Sequence, residues 1–412
     1  MTSRRGFLTG AAGLAGAAGV LAAARPGVAK PRPMPQDFAF FGDHQAGIVT
    51  PQQQHAYFAA FDLITDTRED VAALLRGWTE AAAKMSLGMA EPSANPDQPP
   101  ADSGEALGLH PARLTITFGF GPGLFVKDGQ DRYGLAARRP EALIDLPRFN
   151  GDQLVPARTG GDLAVQACAD DPQVAFHAVR VLARLADGVA QFRWVQAGFT
   201  SGGKPGETPR NLMGFKDGTM NPASRDPALM DATVWVGDEG GWMRGGSYMV
   251  ARPIRIALEH WDRMKLAFQE QTVGRHKLSG APLGQTNEFA PLDLDAVDKD
   301  GNPVIPENSH VRLGAPAAND GAQILRRAYS YDNGLAFIAE RWPPWRQGMQ
   351  VDAGLHFICY QRDPRTGFVQ IFENMAKFDM MNQFVTHIGG GLFACPPGAM
   401  AGRFVGQGLF EA

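Results

Sequence analysis

Only three cysteines, Cys168, Cys359 and Cys395, occur in 412 residues, far apart and without a C-x-x-C spacing, which leaves no disulfide framework or cysteine-held zinc to be read from the chain. Cys168 and Cys359 sit in the apolar runs "LAVQAC" and "LHFIC", where a thiol behaves as a small buried hydrophobe. Nine histidines are present, yet none forms H-E-x-x-H or H-x-H, and a zinc or di-metal cluster gains no support. Neither "GFGPGLF" nor "GGGLF" opens a helix after a strand with an acidic residue some 20 positions on, so a dinucleotide fold is not indicated. No G-x-S-x-G elbow points to a serine hydrolase. A formal net charge of −4, with 20% charged and 44% hydrophobic residues, lacks the basic excess a nucleic-acid partner needs.

Long hydrophobic runs are also missing. The mildly apolar Ala/Gly/Leu stretch behind Arg4 and Arg5, "SRRGFLTGAAGLAGAAGVLAAARPGVA", is short of the roughly 20 strongly apolar residues of a membrane span. Its order of basic, apolar and small residues matches a removed export signal of the twin-arginine class, expected over residues 1–29. Partnership with the twin-arginine export machinery, no stable membrane span, and a periplasmic, envelope or extracellular location follow as expectations. The Pro-rich "KPRPMPQ" opens a linker over 30–45.

Beyond the linker, apolar strands and amphipathic helices alternate. "TREDVAALLRGWTEAAAKMSLG" reads as a helix capped by Thr67, with Glu69 and Asp70 in its first turn and Val71, Leu74, Leu75 and Trp78 on one face. "RLTITFGFG", "DLAVQACA" and "VAQFRWVQAGF" read as strands, with a helix at "PQVAFHAVRVLARLA". The series is the split order of a ferredoxin-like α+β unit. A second series follows: strands at "ATVWVG", "GSYMVARPIRIAL" and "GLHFICYQR", and helices at "HWDRMKLAFQEQ" and "GFVQIFENMAKF". The expected fold is therefore α+β, with two ferredoxin-like halves, 46–212 and 213–412, whose antiparallel sheets pack face to face around a cleft.

Three features carry chemistry. "NLMGFKDGTMNP" places Asp217 on an Asp-Gly turn, where Gly218 takes backbone angles other residues avoid. "NSHVRLGAP" presents His310 beside Arg312 at the expected start of a strand. "ILRRAYSY" puts Arg326 and Arg327 among Ile324, Leu325, Tyr329 and Tyr331, and burying a strand arginine is costly without an anionic partner.

"GFKDGTMNP", "NSHVRL", "ILRRAYSY", "GLHFICYQRDP" and "HIGGGLFACPPG", in this order and spacing, resemble the dye-decolourising peroxidases, in particular the exported bacterial branch with deferrochelatase-like members. The likeness spans almost the whole mature chain. It implies one haem b between the halves, in a pocket of the second half between sheet and helices, and oxidation of bulky aromatic donors by hydrogen peroxide through a high-valent iron–oxo intermediate. It also raises iron release from haem, or haem carriage without turnover, as alternatives. Matched motif by motif, His310 becomes the axial iron ligand and Asp217 and Arg326 the catalytic pair on the open side. Gly218, Thr219, Met220, Ala315, Pro316 and Ala317 become haem-lining residues, and Arg312 the partner of a propionate. Where relatives carry an acid in a stretch like "NEYV", this chain has "NQFV" with Gln383. The proximal histidine is then expected to have a neutral acceptor, unless Asp379 substitutes. Trp194, Trp235, Trp342, Trp345, Tyr329 and Tyr331 are available to relay electrons from large donors or simply to fill the core. Homo-oligomer formation is left open.

Overall fold

The computed structural model describes residues 37–411, apart from 90–94, 98–99, 101, 202–206, 340–344 and 346. The expected signal, the linker's first residues 30–36 and Trp342 lie outside them. The linker's last residues pack rather than dangle: buried Gln45 donates to the carbonyls of Phe118 and Pro396 and accepts from the Phe118 amide.

The first half runs β1 His55–Leu63, α1 Arg68–Met85, β2 Thr115–Phe120, β3 Leu163–Ala169, α2 Pro172–Leu185 and β4 Ala190–Phe199. Thr67 caps α1 by accepting from the Asp70 amide, and Asp171 caps α2 at Gln173 and Val174. The helices bury one stripe each, Val71, Leu75, Trp78 and Ala82 against Val174, Ala178 and Leu182. The second half contributes β5 Ser247–Ile256, β6 Leu325–Arg326, β7 Tyr329–Ala339, β8 Gln347–Gln361, β9 Val385–His387 and β10 Gly391–Cys395. Helices Leu266–Val273 and Gln370–Phe378 cross over between them.

Antiparallel pairing gives the order β4-β1-β3-β2 in one half and β7-β8-β5-β10 in the other. Both are ferredoxin-like, and the fold is α+β as expected. Among the described residues, the sheets leave no cleft between the halves of the kind expected. The two four-stranded sheets join at their edges through Phe120–Ala394 and Phe199–Ser330 and close into a ring. Strand alternation sends Phe58, Trp194, Met249, Ile358, Tyr360 and Phe393 into that ring, where they pack as one cluster. The opposite faces, including Val165, Tyr248, Val250 and Cys359, pack against the helices. Closure removes two edges that would otherwise template aggregation.

Two local expectations are corrected. "ATVWVG" ends helix Pro227–Thr233 and continues as a turn, because Val234 and Trp235 both donate to the Met230 carbonyl; Val234, Trp235 and Val236 are buried without ladder pairing. His310 opens a one-turn helix, His310–Leu313, not a strand. The three cysteines are free and buried, as read.

The "GGG" segment is a seam. Gly390 donates to the Arg158 carbonyl and accepts from the Gly160 amide, at φ +136°, with a Cβ there only 2.4 Å from the Ala251 carbonyl oxygen. Gly390→Ala is expected to reduce unfolding free energy by about 1–3 kcal/mol from backbone strain alone, read as a lower urea midpoint at unchanged slope.

Candidate functional site

Asp217 sits on a turn that its neighbours hold from two sides. Its amide donates to the Pro209 carbonyl at 2.8 Å, and Gly218 follows at φ +114° with only Thr208 near its α-carbon hydrogens. Asn211 accepts from the amides of Met213 and Phe215 and approaches Asp217 Oδ2 at 3.4 Å. Behind the turn, Glu288 pairs with Lys216 and accepts from Thr219 Oγ1 at 3.0 Å. Burial works to raise the Glu288 pKa, but the Lys216, Thr208 and Thr219 contacts hold it below the usual range.

Arg326 reaches Asp217 from the sheet. Leu325 points into the ring, so alternation places Arg326 on the helix-facing side, where its Nη1 donates to Asp217 Oδ1 at 3.0 Å. Asn221 clasps the Arg326 backbone, donating to its carbonyl at 2.7 Å and accepting from its amide at 3.1 Å. Arg327 turns inward and binds Thr50, Pro51 and Gln53. Of the two arginines, one is therefore structural. A small cavity of about 40 Å³ opens beside Asp217, Asn211 and Arg326, room for water-sized molecules and not for a dye.

The charges of Arg326 and Asp217 also act on His310. Its Nδ1 lies 2.7 Å from Asp379 Oδ2, with the carboxylate 3% exposed and the imidazole 35% exposed. The acceptor is a carboxylate four residues before Gln383, which corrects the expected neutral partner. Asp379 caps the turn Met380–Gln383 through its Oδ1 on the Met381 amide, and that turn sends Gln383 outward, where it is exposed and donates to the Met380 carbonyl. Burial depresses the His310 pKa, yet the Asp379 charge and hydrogen bond override it and leave it raised; Arg326 and Asp217 also act on the ring.

The remaining expected residues divide. Ala315 is buried and precedes the turn Pro316–Ala318, with Asn319 donating to the Leu313 and Ala315 carbonyls. Met220 is half exposed. Arg312 spends Nη1 on the Leu294 and Ile305 carbonyls, pinning a loop. Sequence reasoning missed Asn211 and Asn221, visible only as polar residues flanking the Asp-Gly turn, and Arg275. Arg275 is 4% exposed and donates through Nη1 to Gly280 and Glu288, while its Nη2 is buried without a partner.

These groups fit a haem. The Asp379 bond fixes Nδ1–H and leaves His310 Nε2 as the lone-pair donor, the arrangement an axial imidazole needs. The unpartnered Arg275 Nη2 supplies a buried donor for an acidic group, and Gly218 removes side-chain bulk beside Asp217.

Comparison with known proteins agrees. The Dyp-type peroxidase N-terminal and C-terminal family models match residues 45–200 and 208–400. A dye-decolorizing peroxidase of Thermobifida fusca is 40% identical over 89% of this chain and 84% of its own. A deferrochelatase of Shigella flexneri is 38% identical over 99% and 97%. The crystal structure of a DyP-type peroxidase from Streptomyces coelicolor superposes with TM-score 0.83 at 40% identity, covering 92% of this chain and 98% of that one. The chain belongs to the Dyp-type peroxidase family, haem enzymes built on two ferredoxin-like halves.

Because the folded-state pKa of His310 is raised, the protonated imidazole stabilises the haem-free protein fully below its ordinary value of about 6.5, and that stability is lost as pH rises through the raised value. Melting the haem-free protein and its Asp379→Asn variant across pH 6–9 should show a gap that widens toward pH 6.

Proposed function

We propose that the chain reduces hydrogen peroxide at haem b held by His310 and passes the oxidising equivalents to aromatic donors. The observation that carries this is the Arg326–Asp217 ion pair whose charges act on the His310 ring, an imidazole whose Nδ1 is bound by a buried carboxylate. Haem, when bound, supplies the iron on which peroxide is held and its O–O bond cleaved. Asp217 Oδ1 is occupied by the Arg326 guanidinium, so Oδ2 takes the proton from the nearer peroxide oxygen and returns it to the departing one. Arg326, permanently charged, stabilises the negative charge that develops there. Asn211 and Asn221 hold the pair at this geometry. Asp379 keeps the His310 ring oriented and electron-rich. Arg275, with a buried unpartnered Nη2, and Arg312 would pair with the propionates.

Residues 1–29 as a cleaved twin-arginine signal and a division near 212/213 belong to the same reading; the mature N-terminus of secreted protein checks the first. A second reading, iron release with the porphyrin intact, is favoured by the full-length likeness to deferrochelatase. It is separated by product: free porphyrin fluorescence against a bleached dye.

His310→Ala is expected to lose the Soret band of bound haem. Asp217→Ala should keep that band and slow the reaction with peroxide by about 10²–10⁴-fold. A carboxylic acid is a stronger acid than an imidazolium, so Asp217→His should move the acid limb of that rate to higher pH; an unmoved limb contradicts Asp217 as the base.

A further inference from the structure

Tyr329 lies three positions beyond Arg326. Its neighbours Ala328 and Ser330 line the small cavity beside Asp217 together with Gln52, which donates to the Ala328 carbonyl at 2.7 Å. Alternation along β7 turns the Tyr329 side chain the other way, into the ring of strands, where the residue is 1% exposed. Only the β7 backbone separates the phenol from that cavity.

Small residues lay out the path of the side chain. Gly198 on β4 is opposite Ala56 on β1, and Ala56 is opposite Cys168 on β3, so the three stand in one row on the inward face. A Cβ at Gly198 would lie 2.6 Å from the Tyr329 Cβ, closer than carbon atoms pack. A glycine and then a methyl group thus let the phenol lie over β4 and β1 and reach β3. There Ala56, Cys168 and Tyr329 form a buried cluster of their own, and the Cys168 thiol is free.

The Tyr329 hydroxyl is uncommitted: its Oη is buried without a hydrogen-bond partner among the described residues. Burial raises its pKa most, the Cys168 thiol raises it further, and the Arg327 guanidinium opposes both. Arg327 is itself buried and is held by the Thr50 and Pro51 carbonyls and by Gln53, not by a carboxylate. Its fixed positive charge favours loss of the phenolic proton when an electron leaves the ring. Other thiols and phenols nearby are engaged elsewhere. Tyr360 Oη donates to Met249 Sδ at 3.3 Å, and Cys359 Sγ donates to Gln361 Oε1 at 3.7 Å. Tyr331 Oη is also unpartnered, but the groups acting on it are Asp352, Arg158 and Arg255, none of them a cysteine.

Resting on the peroxidase reading, we propose that Cys168 and Tyr329 form a latent covalent cross-link, closed when peroxide is reduced with no donor present. Cys168 Sγ joins the ring carbon ortho to the Tyr329 hydroxyl. The S–H bond and one ring C–H bond break, and one C–S bond forms. The two electrons and two protons released convert one hydrogen peroxide into two waters, and the phenolic O–H is restored as the ring regains its aromaticity. Surplus oxidising equivalents thereby reach a defined end point inside the protein, and the thioether ties β3 to β7 across the ring of strands.

The test is mass spectrometry of the haem-loaded protein after peroxide is added without a donor, with peroxide consumption followed in the same sample. The intact mass should fall by two hydrogens. Alkylation of the denatured chain should then miss Cys168 while still marking Cys359 and Cys395, and digestion should release the Cys168 peptide joined at Tyr329 by a bond that thiol reductants leave intact. Cys168→Ser and Tyr329→Phe, each close to the native side chain in shape, should consume peroxide without losing the two hydrogens. Full alkylation of Cys168 after peroxide is consumed, oxygen added to its sulfur with no joined peptide, or the same mass loss in Tyr329→Phe, overturns the proposal. Wild-type protein that leaves peroxide unconsumed instead overturns the peroxidase reading, and with it the oxidant this step needs.

Discussion

The 2.7 Å contact between His310 Nδ1 and Asp379 Oδ2 is the interaction on which the rest of the site depends. A free imidazole can present either nitrogen and can be protonated on both. Bound to a nearly buried carboxylate, the neutral ring has one tautomer and one orientation, with its lone pair on Nε2. The same contact ties the helix turn that begins at His310 to the turn that begins at Asp379, reinforced by the Met380 amide on the Asn308 carbonyl. In the proposed function, ligand position and ligand basicity are thus set by one structural joint.

Across the pocket, rigidity is obtained by a different device. Asp217 and Arg326 lie 109 positions apart in sequence, and each comes with an asparagine that fixes backbone before side chain. A carboxylate and a guanidinium so held need little reorganisation when charge moves between the peroxide oxygens, which is the physical basis of electrostatic catalysis. The closed ring of strands supplies the foundation, since Arg326 is registered against Cys359 on a strand paired on both sides.

Much of this was legible in the chain. Capping residues and periodicity located α1 and α2, and the paired strand–helix series announced two halves. The residues proposed for the peroxide pocket, Asp217 and Arg326, which the structure pairs, stood out only through motif likeness, because Asp-Gly turns and a strand Arg-Arg pair are too common to speak alone. Closure of the two sheets was not legible: edge pairing rests on Phe120 with Ala394 and Phe199 with Ser330, which carry no local signature. The proximal acceptor was misplaced for a similar reason. Asp379 and Gln383 are four positions apart, and only the capped turn between them decides which faces His310. Arg275 escaped notice because its value lies in a buried unpartnered nitrogen, a property of packing. "ATVWVG" misled because β-branched apolar residues suit any buried site, paired or not.

The central claim is that Asp379 makes His310 an electron-rich axial ligand. Spectroelectrochemical titration of the haem-loaded wild type and Asp379→Asn addresses it most directly, since a neutral acceptor donates less density through the imidazole to iron. The account predicts a more positive ferric/ferrous potential in Asp379→Asn, with Gln383→Glu leaving the wild-type value unchanged. Equal potentials in Asp379→Asn and wild type, or a shift produced by Gln383→Glu instead, would contradict it.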